Sequence, residues 1–339
     1  MSDAIRHYVN EFRSRRDVDP YQADAFFDII LAETDEDLLT ELLMAWAAKG
    51  ATEDEIYRFA KVLHGRMKRI DTHGLECVDI VGTGGSKVKT FNVSTAAAFV
   101  VAGAGIAVAK HGNRAATSSS GSADVLATLG IEVDIEPKQA EDDLAKFGIC
   151  FMFAPRHHSL SPTLARARKR VGAPTIFNCI GPLCNPAGAP YQLIGVFDQR
   201  LRIAMARVLF RLGTKHSWIV NSIGSLDEIG LKGVTQVVDI DADGVRTIEV
   251  AADDFGIHDE GEIPLDLSAL ESASLIIDLL DNAIGGSAAE RLVLMNAAAA
   301  IYIAGKAKDL KQAYSIAEES IRSGAAFEKL AALRGGRTK

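Results

Sequence analysis

Residues 3 to about 70 repeat apolar positions at three- and four-residue intervals, through AIRHYVNEF, YQADAFFDIILA, EDLLTELLMAWAAKG and TEDEIYRFAKVLHGRMKRI. That spacing predicts three or four amphipathic helices. Asp35 and Thr52 stand where N-caps belong, each ahead of acidic residues in a first turn, and Gly50 closes the third helix. From Cys77 the pattern changes. The short runs CVDIV, IAVAK, IEVDI, CFMFA, QLIGVF and SWIVN read as strands. Helical stretches separate them, from about residue 93 and over SADVLATLG, PKQAEDDLAKFG and RLRIAMARVLFRLG. Such alternation predicts a mostly parallel sheet with helices on both faces. QVVDI and VRTIEV around Asp243 and Gly244 predict a hairpin. After a loop-rich passage, residues 287 to 333 return to helix, with NAAAAIYIAG buried on most faces. The expected fold class is α/β: a small helical domain over residues 1–72, joined through helical segments near 160–190 to a large α/β domain over 73–339.

The chain has 339 residues, 48% apolar and 24% charged, enough to bury a large core. With 37 Lys+Arg against 45 Asp+Glu its formal charge is -8, a field that repels polyanions, so a phosphate site must be local and no nucleic-acid partner is expected. The start shows no leader pattern, and the most apolar runs are too short or too glycine-broken to span a bilayer. A soluble, cytoplasmic protein without a membrane partner is expected. Cys77, Cys150, Cys179 and Cys184 sit in apolar company without zinc-site spacing and read as buried structural thiols.

The stretch DIVGTGGSKVKTFNVST, residues 79–95, runs from an apolar strand into three glycines within four positions and then a helix. It is not a P-loop, because no Gly-Lys-Ser/Thr follows Gly82 at the needed spacing. Nor is it the dinucleotide fingerprint, whose third glycine is replaced by Lys87. Strand, glycine-rich turn and helix start still present backbone N–H groups and a positive helix end to an anion. Lys87, Lys89, Asn92 and Ser94 alongside favour phosphate over a turn that merely needs positive φ. A second strand leads into Lys110, His111, Gly112, Asn113 and Arg114, with Ser122 at a second helix start. Both loops fall at carboxyl ends of strands, where open α/β sheets bind ligands. The run Arg166, Arg168, Lys169 and Arg170 reads as a solvated helix face, and His157 with His158 as a loop pair. Asp227 and Glu228 follow a strand and a glycine; adjacent carboxylates suit Mg²⁺, although such a pair is more often plain surface loop.

Together these stretches resemble one family, the anthranilate phosphoribosyltransferases of tryptophan biosynthesis. The resemblance runs in order through LLMAWAAKG, GTGG..TFNVST, AKHGNR, SGSADVL, FAP..H, TIFN.IGPL.NPA, LDEI, NAAAAIYIAGKA and IRSGAA. It implies the fold shared with pyrimidine nucleoside phosphorylases, an active site in the cleft between the two domains, and homodimers formed through the N-terminal helices. The implied reaction is Mg²⁺-dependent transfer of the phosphoribosyl group from phosphoribosyl pyrophosphate (PRPP) to the amino group of anthranilate, releasing pyrophosphate. Carried over by position, the implied PRPP site is Gly82, Thr83, Gly85, Ser86, Lys87, Thr90, Asn92, Ser94, Thr95, Lys110 and Ser122. The implied metal ligands are Ser94, Asp227 and Glu228. Gly82, His111, Asn113, His158, Arg168, Gly181 and Pro182 form the implied anthranilate site, with Arg168 facing the carboxylate and His111 and His158 the candidate proton acceptors.

The chain also departs from that pattern. Ser86 and Lys87 replace a usual Asp-Gly, Ser-Leu-Ser-Pro follows His158 in place of Pro-Ala-Met-Lys, Pro174 replaces an arginine, and Asn221 with Ser222 replaces His-Gly. A lysine at 87 facing the pyrophosphate would supply part of the metal's charge, which predicts a weaker Mg²⁺ requirement. Two other readings stay open. One is a paralogue using another aromatic amine, or a nucleoside phosphorylase, the latter disfavoured by KHGNR and the acidic pair. The other is a family-like protein without catalysis that holds phosphates or nucleic acid through Lys87, Lys89 and the 166–170 run, against which the net charge of -8 counts.

Overall fold

The structure, a computed structural model, describes residues 2–86, 89–115, 120–258 and 261–335. Helices α1 (Ser2–Arg13), α2 (Ala23–Ala32), α3 (Glu36–Lys49) and α4 (Glu53–Arg66) form the start. Their ends follow the sequence signals. Asp35 accepts the Leu38 N–H, Thr52 and Glu55 make a reciprocal capping box, and Gly50 ends α3 at φ 86°. Phe12, Phe26, Trp46 and Phe59 pack as an aromatic cluster between the helices. The buried Glu55 ties it together, accepting from the Trp46 indole and pairing with Lys49 at 2.8 Å.

The alternating region supplies β1 (Val78–Gly82), α5 (Val93–Gly103), β2 (Val108–Gly112), α6 (Ser122–Thr128), α7 (Pro137–Phe147) and β3 (Ile149–Phe153). It continues through α8 (Ala154–His157), α9 (Pro162–Val171), α10 (Ile176–Leu183), β4 (Tyr191–Gly195), α11 (Gln199–Leu212), β5 (His216–Ser222), β6 (Val234–Asp241) and β7 (Gly244–Ala251). The end is α12 (Ala269–Leu280), α13 (Ala288–Ile303), α14 (Leu310–Arg322) and α15 (Ala325–Gly335). One sheet runs β3-β2-β1-β4-β5-β6-β7; its first five strands are parallel and β6 and β7 antiparallel. The chain builds outward from β1 to β3, then returns to place β4 on the other side of β1. The crevice at the carboxyl ends of β1 and β4 is therefore the topological switch point.

Period-two alternation divides the strands between two apolar layers. Trp218 and Val220 face a core shared with α5 and α12–α15, whereas Ile219 faces one shared with α1–α4 and α9–α11. The N-terminal helices thus pack against α9–α11 and one face of the sheet. Three expectations need correction. Residues 131–135 form no strand: Ile131, Val133 and Ile135 are buried by alternation, but the segment joins no ladder and β3 ends the sheet. The hairpin turn is Ala242 and Asp243, with Asp241 paired to Gly244, one residue earlier than expected. The loop-rich passage contains α12, started by a Ser268–Glu271 capping box. All four cysteines are buried free thiols, and among the described residues no helix is long and apolar enough to cross a membrane.

Candidate active site

The GTGG turn leaves β1 at the switch point. Gly84 and Gly85 hold φ of 64° and 82°, a region open chiefly to glycine. At Gly85 space is short as well, since a Cβ would stand 2.9 Å from the Pro174 ring. Pro174, one of the departures from the family pattern, therefore packs directly on the loop. The Thr83 N–H bonds Gly195 O at 2.9 Å, and the Asn178 side chain bonds Thr83 O at 3.1 Å, fixing the turn to β4 and α10. Helix α5 then starts after Asn92, whose side chain does not cap it but donates to Ser120 at 2.9 Å. The first amides of α5 thus lack a side-chain acceptor at their N-cap. Thr95 is wholly buried, and its hydroxyl has no partner among the described residues. Lys87 lies outside the described residues.

Lys110, in the middle of β2, points its ammonium to Ile80 O and to Ser94 Oγ at 3.3 Å. Burial lowers it to about 8, and raises the neighbouring Asp79 carboxyl to about 6; each partly offsets the other. Asp79 accepts from the His111 N–H at 3.1 Å and from Asn185 Nδ2 at 2.8 Å, locking the start of the second loop. His111 and His158 meet Nε2 to Nε2 at 3.1 Å. Burial, then the neighbouring imidazole, pulls His111 well below the ordinary range, and burial takes His158 to about 4. Both rings are neutral at pH 7 and weakly basic. His157 instead bonds Lys68 O, a structural contact. Asn113 is exposed, with its carbonyl accepting from the Ser122 hydroxyl at 3.4 Å. The α6 start already holds an acid: Asp124 accepts from the Ala115 and Gly121 amides and pairs with Arg114. A Cβ on Gly181 would meet open space, so the end of α10 that carries Gly181 and Pro182 leaves room for a ligand.

The basic run splits in two. Arg166 pairs with Glu36 at 2.9 Å and Arg170 with Asp37, tying α9 to the first turn of α3. Arg168 lies over the Phe177 ring at 5.0 Å, half-buried, lowered to about 10 by that burial and without a carboxylate partner among the described residues. The solvated face expected of the whole run holds for only part of it.

Asp227 and Glu228 lie across the switch point. After β5 the chain reverses through Ile223–Ser225, with Gly224 at φ 78° and Ser222 N–H bonded to Leu226 O, which folds Asp227 back over the strand ends. Glycines make the room. A Cβ on Gly82 would lie 3.0 Å from Asp227 Oδ2, and one on Gly195 only 1.7 Å from Asp227 O. Burial raises Asp227 to about 6, with a Ser86 hydrogen bond opposing; burial and then Asp227's charge raise Glu228 well above the usual range. Glu228 accepts from the Thr90 hydroxyl at 2.9 Å. A cavity of about 50 Å³ is lined by Gly82, Ser94, Gly195, Asp227, Glu228 and Asn296, among others. Two half-buried carboxylates without a cation among the described residues, beside a hydroxyl and a small void, are a hard-oxygen donor set that fits Mg²⁺. The group His216, Asp239 and Asp241 differs: it lies at the other end of β5 and the Arg246 guanidinium bonds both carboxylates, at 2.6 and 2.7 Å.

Sequence reasoning assigned no role to Asp79, Asn185, Gly195 and Asn296, and named Ser222 only as a departure from the family pattern. Two carried a signal: Asn185 in NPA and Asn296 in NAAAA are amides within apolar runs, and a buried amide must find partners.

An open sheet with a glycine-rich turn and paired acids at its switch point is an α/β ligand-binding domain, and residues 74–327 match the family described as Glycosyl transferase family, a/b domain. The chain is 41% identical over 338 residues to the anthranilate phosphoribosyltransferase of Myxococcus xanthus, covering 98% of each. It resembles the solved anthranilate phosphoribosyltransferase of Thermus thermophilus at 32% identity and TM-score 0.85, covering 96% of this chain and 98% of that one. The Saccharomyces cerevisiae enzyme, solved in complex with PRPP and Mg, matches at 25% identity and TM-score 0.87, covering 98% and 97%. The chain belongs to the anthranilate phosphoribosyltransferase family.

Proposed function

We propose that the protein transfers the phosphoribosyl group of PRPP to the amino group of anthranilate, releasing pyrophosphate, as a step of tryptophan biosynthesis. The observation that carries this reading is the half-buried Asp227–Glu228 pair beside the GTGG turn and the start of α5, which has no side-chain cap. The turn and the α5 amides bind the donor's phosphates, with Lys110 as a nearby charge. Asp227, Glu228 and Ser94 would hold Mg²⁺, which when bound neutralises the departing pyrophosphate. Arg168, without a carboxylate partner among the described residues, takes that of anthranilate. His111, His158, Asn113 and the Gly181–Pro182 turn line the amine's approach. An imidazole lowered to about 4 is a poor base at pH 7, so the two rings orient the amine with a lone pair more than they remove its proton. Positioning then supplies most of the rate.

Protein given Mg²⁺, PRPP and anthranilate should consume anthranilate fluorescence; no loss at high enzyme concentration would sink this reading. The polyanion-binding alternative loses support, because Arg166 and Arg170 are engaged by Glu36 and Asp37. Residues 1–72 and 73–339 are proposed as the two domains, with a homodimer through the N-terminal helices. Tyr21 and Met44, both exposed apolar side chains of the N-terminal segment, support the dimer, and a monomeric mass by light scattering would count against it.

A further inference from the structure

We propose that Asn296 of α13 is a positioning residue that sets the acidic pair for a divalent cation and its diphosphate. This rests on the donor reading above, and nothing in that reading uses Asn296. Helix α13 is buried almost throughout, and Ala297, Ala298, Ala299 and Ala300 are fully buried where it packs on α5. Asn296, at 3% exposure, is the polar side chain within the apolar run Leu292–Ile301. An amide so buried costs stability unless its donors and acceptor are all matched. They are. Oδ1 accepts from the Ile229 N–H at 3.0 Å, and Nδ2 donates to Ile229 O at 3.0 Å and to Leu292 O at 2.9 Å.

Bonding both backbone groups of one residue fixes the two peptide planes that flank it, as a strand partner would. Ile229 directly follows Glu228 and belongs to no strand, so side chains must supply the register a ladder would otherwise give. Ser222 completes the set: its hydroxyl donates to Glu228 O and accepts from the Gly230 N–H at 3.0 Å. Every backbone polar group from Glu228 O to Gly230 N is thereby held, two by Asn296 and two by Ser222. Asn296 also borders the small cavity onto which Asp227, Glu228 and Ser94 face. It acts through Ile229, orienting the carboxylates before a ligand arrives.

Calorimetric titration with magnesium pyrophosphate, which needs no turnover, tests this on wild type, Asn296→Ala and Asn296→Gln. The second variant keeps the amide but displaces it by one methylene. Each folded variant should bind roughly tenfold more weakly, the scale of losing about 1.4 kcal/mol of hydrogen bonding. The PRPP KM should rise in parallel and the anthranilate KM stay within about twofold. A lowered Tm with unchanged pyrophosphate affinity would make Asn296 a packing residue only and overturn the proposal. Should neither variant fold, hydrogen exchange on chelated wild type decides: the Ile229 and Gly230 amides should be protected without metal, and free exchange there overturns the idea. Wild type that binds no magnesium pyrophosphate would overturn the function proposed above as well; loss confined to the variants cannot.

Discussion

Gly195→Ala and Gly82→Ala add the same methyl group at the paired ends of β4 and β1, one against the Asp227 backbone and the other against its carboxylate, at positions whose φ lies outside the left-handed region. The side chain alone is therefore at issue. At Gly195 the new carbon would sit 1.7 Å from Asp227 O and 2.6 Å from its carbonyl carbon. Close carbon–oxygen contacts run about 3.3 Å, so the Asp227 backbone must retreat by roughly 1.6 Å. At Gly82 the clash is with a carboxylate tip 3.0 Å away, which needs roughly 0.3 Å on the same contact distance. Since a misplacement of about 1 Å can cost about 100-fold, Gly195→Ala should lose at least that in kcat/KM for PRPP, and Gly82→Ala no more than about tenfold. Initial rates of anthranilate consumption at saturating Mg²⁺, with Tm recorded to show folded protein, measure both. A folded Gly195→Ala within tenfold of wild type, or the reverse ranking, would refute the claim that Asp227 is placed by the bare strand ends.

Three further outcomes are expected. Arg168→Ala should raise the anthranilate KM by about 10- to 100-fold, the range of a lost charge-assisted hydrogen bond, with a smaller effect on the PRPP KM; equal effects would contradict its assignment. Asp227 is raised by burial to about 6 from 3.8, so the folded protein carries a cost above pH 6 that lessens as pH falls through that value toward the unfolded one. In chelator, Asp227→Asn should stabilise the protein by up to about 3 kcal/mol at pH 8, and by less at pH 5; a gain independent of pH in denaturant titrations would be inconsistent with this. Ser86→Asp combined with Lys87→Gly should steepen the Mg²⁺ dependence of the rate, and an unchanged Mg²⁺ titration would remove the compensating role given to Lys87.

The elements were legible wherever period and punctuation agreed, as at Asp35, Gly50 and Thr52. They misled at 131–135, where alternation records burial and not pairing, because an apolar residue can be covered without a neighbouring strand. The division of the basic run could have been seen: Arg166 and Arg170 are four apart and share a helix face, while Arg168 is about 200° from each at ~100° per residue. Long-range placement was not legible from periodicity alone. That Gly82, Gly195 and Asp227 meet depends on β4 lying beside β1, and that order emerges only when the whole sheet closes its core. Asn296 announced itself as an amide among alanines, but its partner 67 residues away did not.

The surface pairing of Arg166 and Arg170 with α3 bears on how this protein can change over time. On the reading proposed above, the donor is gripped by strand ends and buried amides, where a shift of a few tenths of an ångström is felt. The acceptor's carboxylate is gripped from one face of α9, whose other face is held by exposed ion pairs worth little individually. Substitutions around Glu36, Asp37 and the outer face of α9 can therefore re-aim Arg168 without disturbing the sheet. The choice of aromatic amine is free to drift while the chemistry of the sugar donor stays fixed.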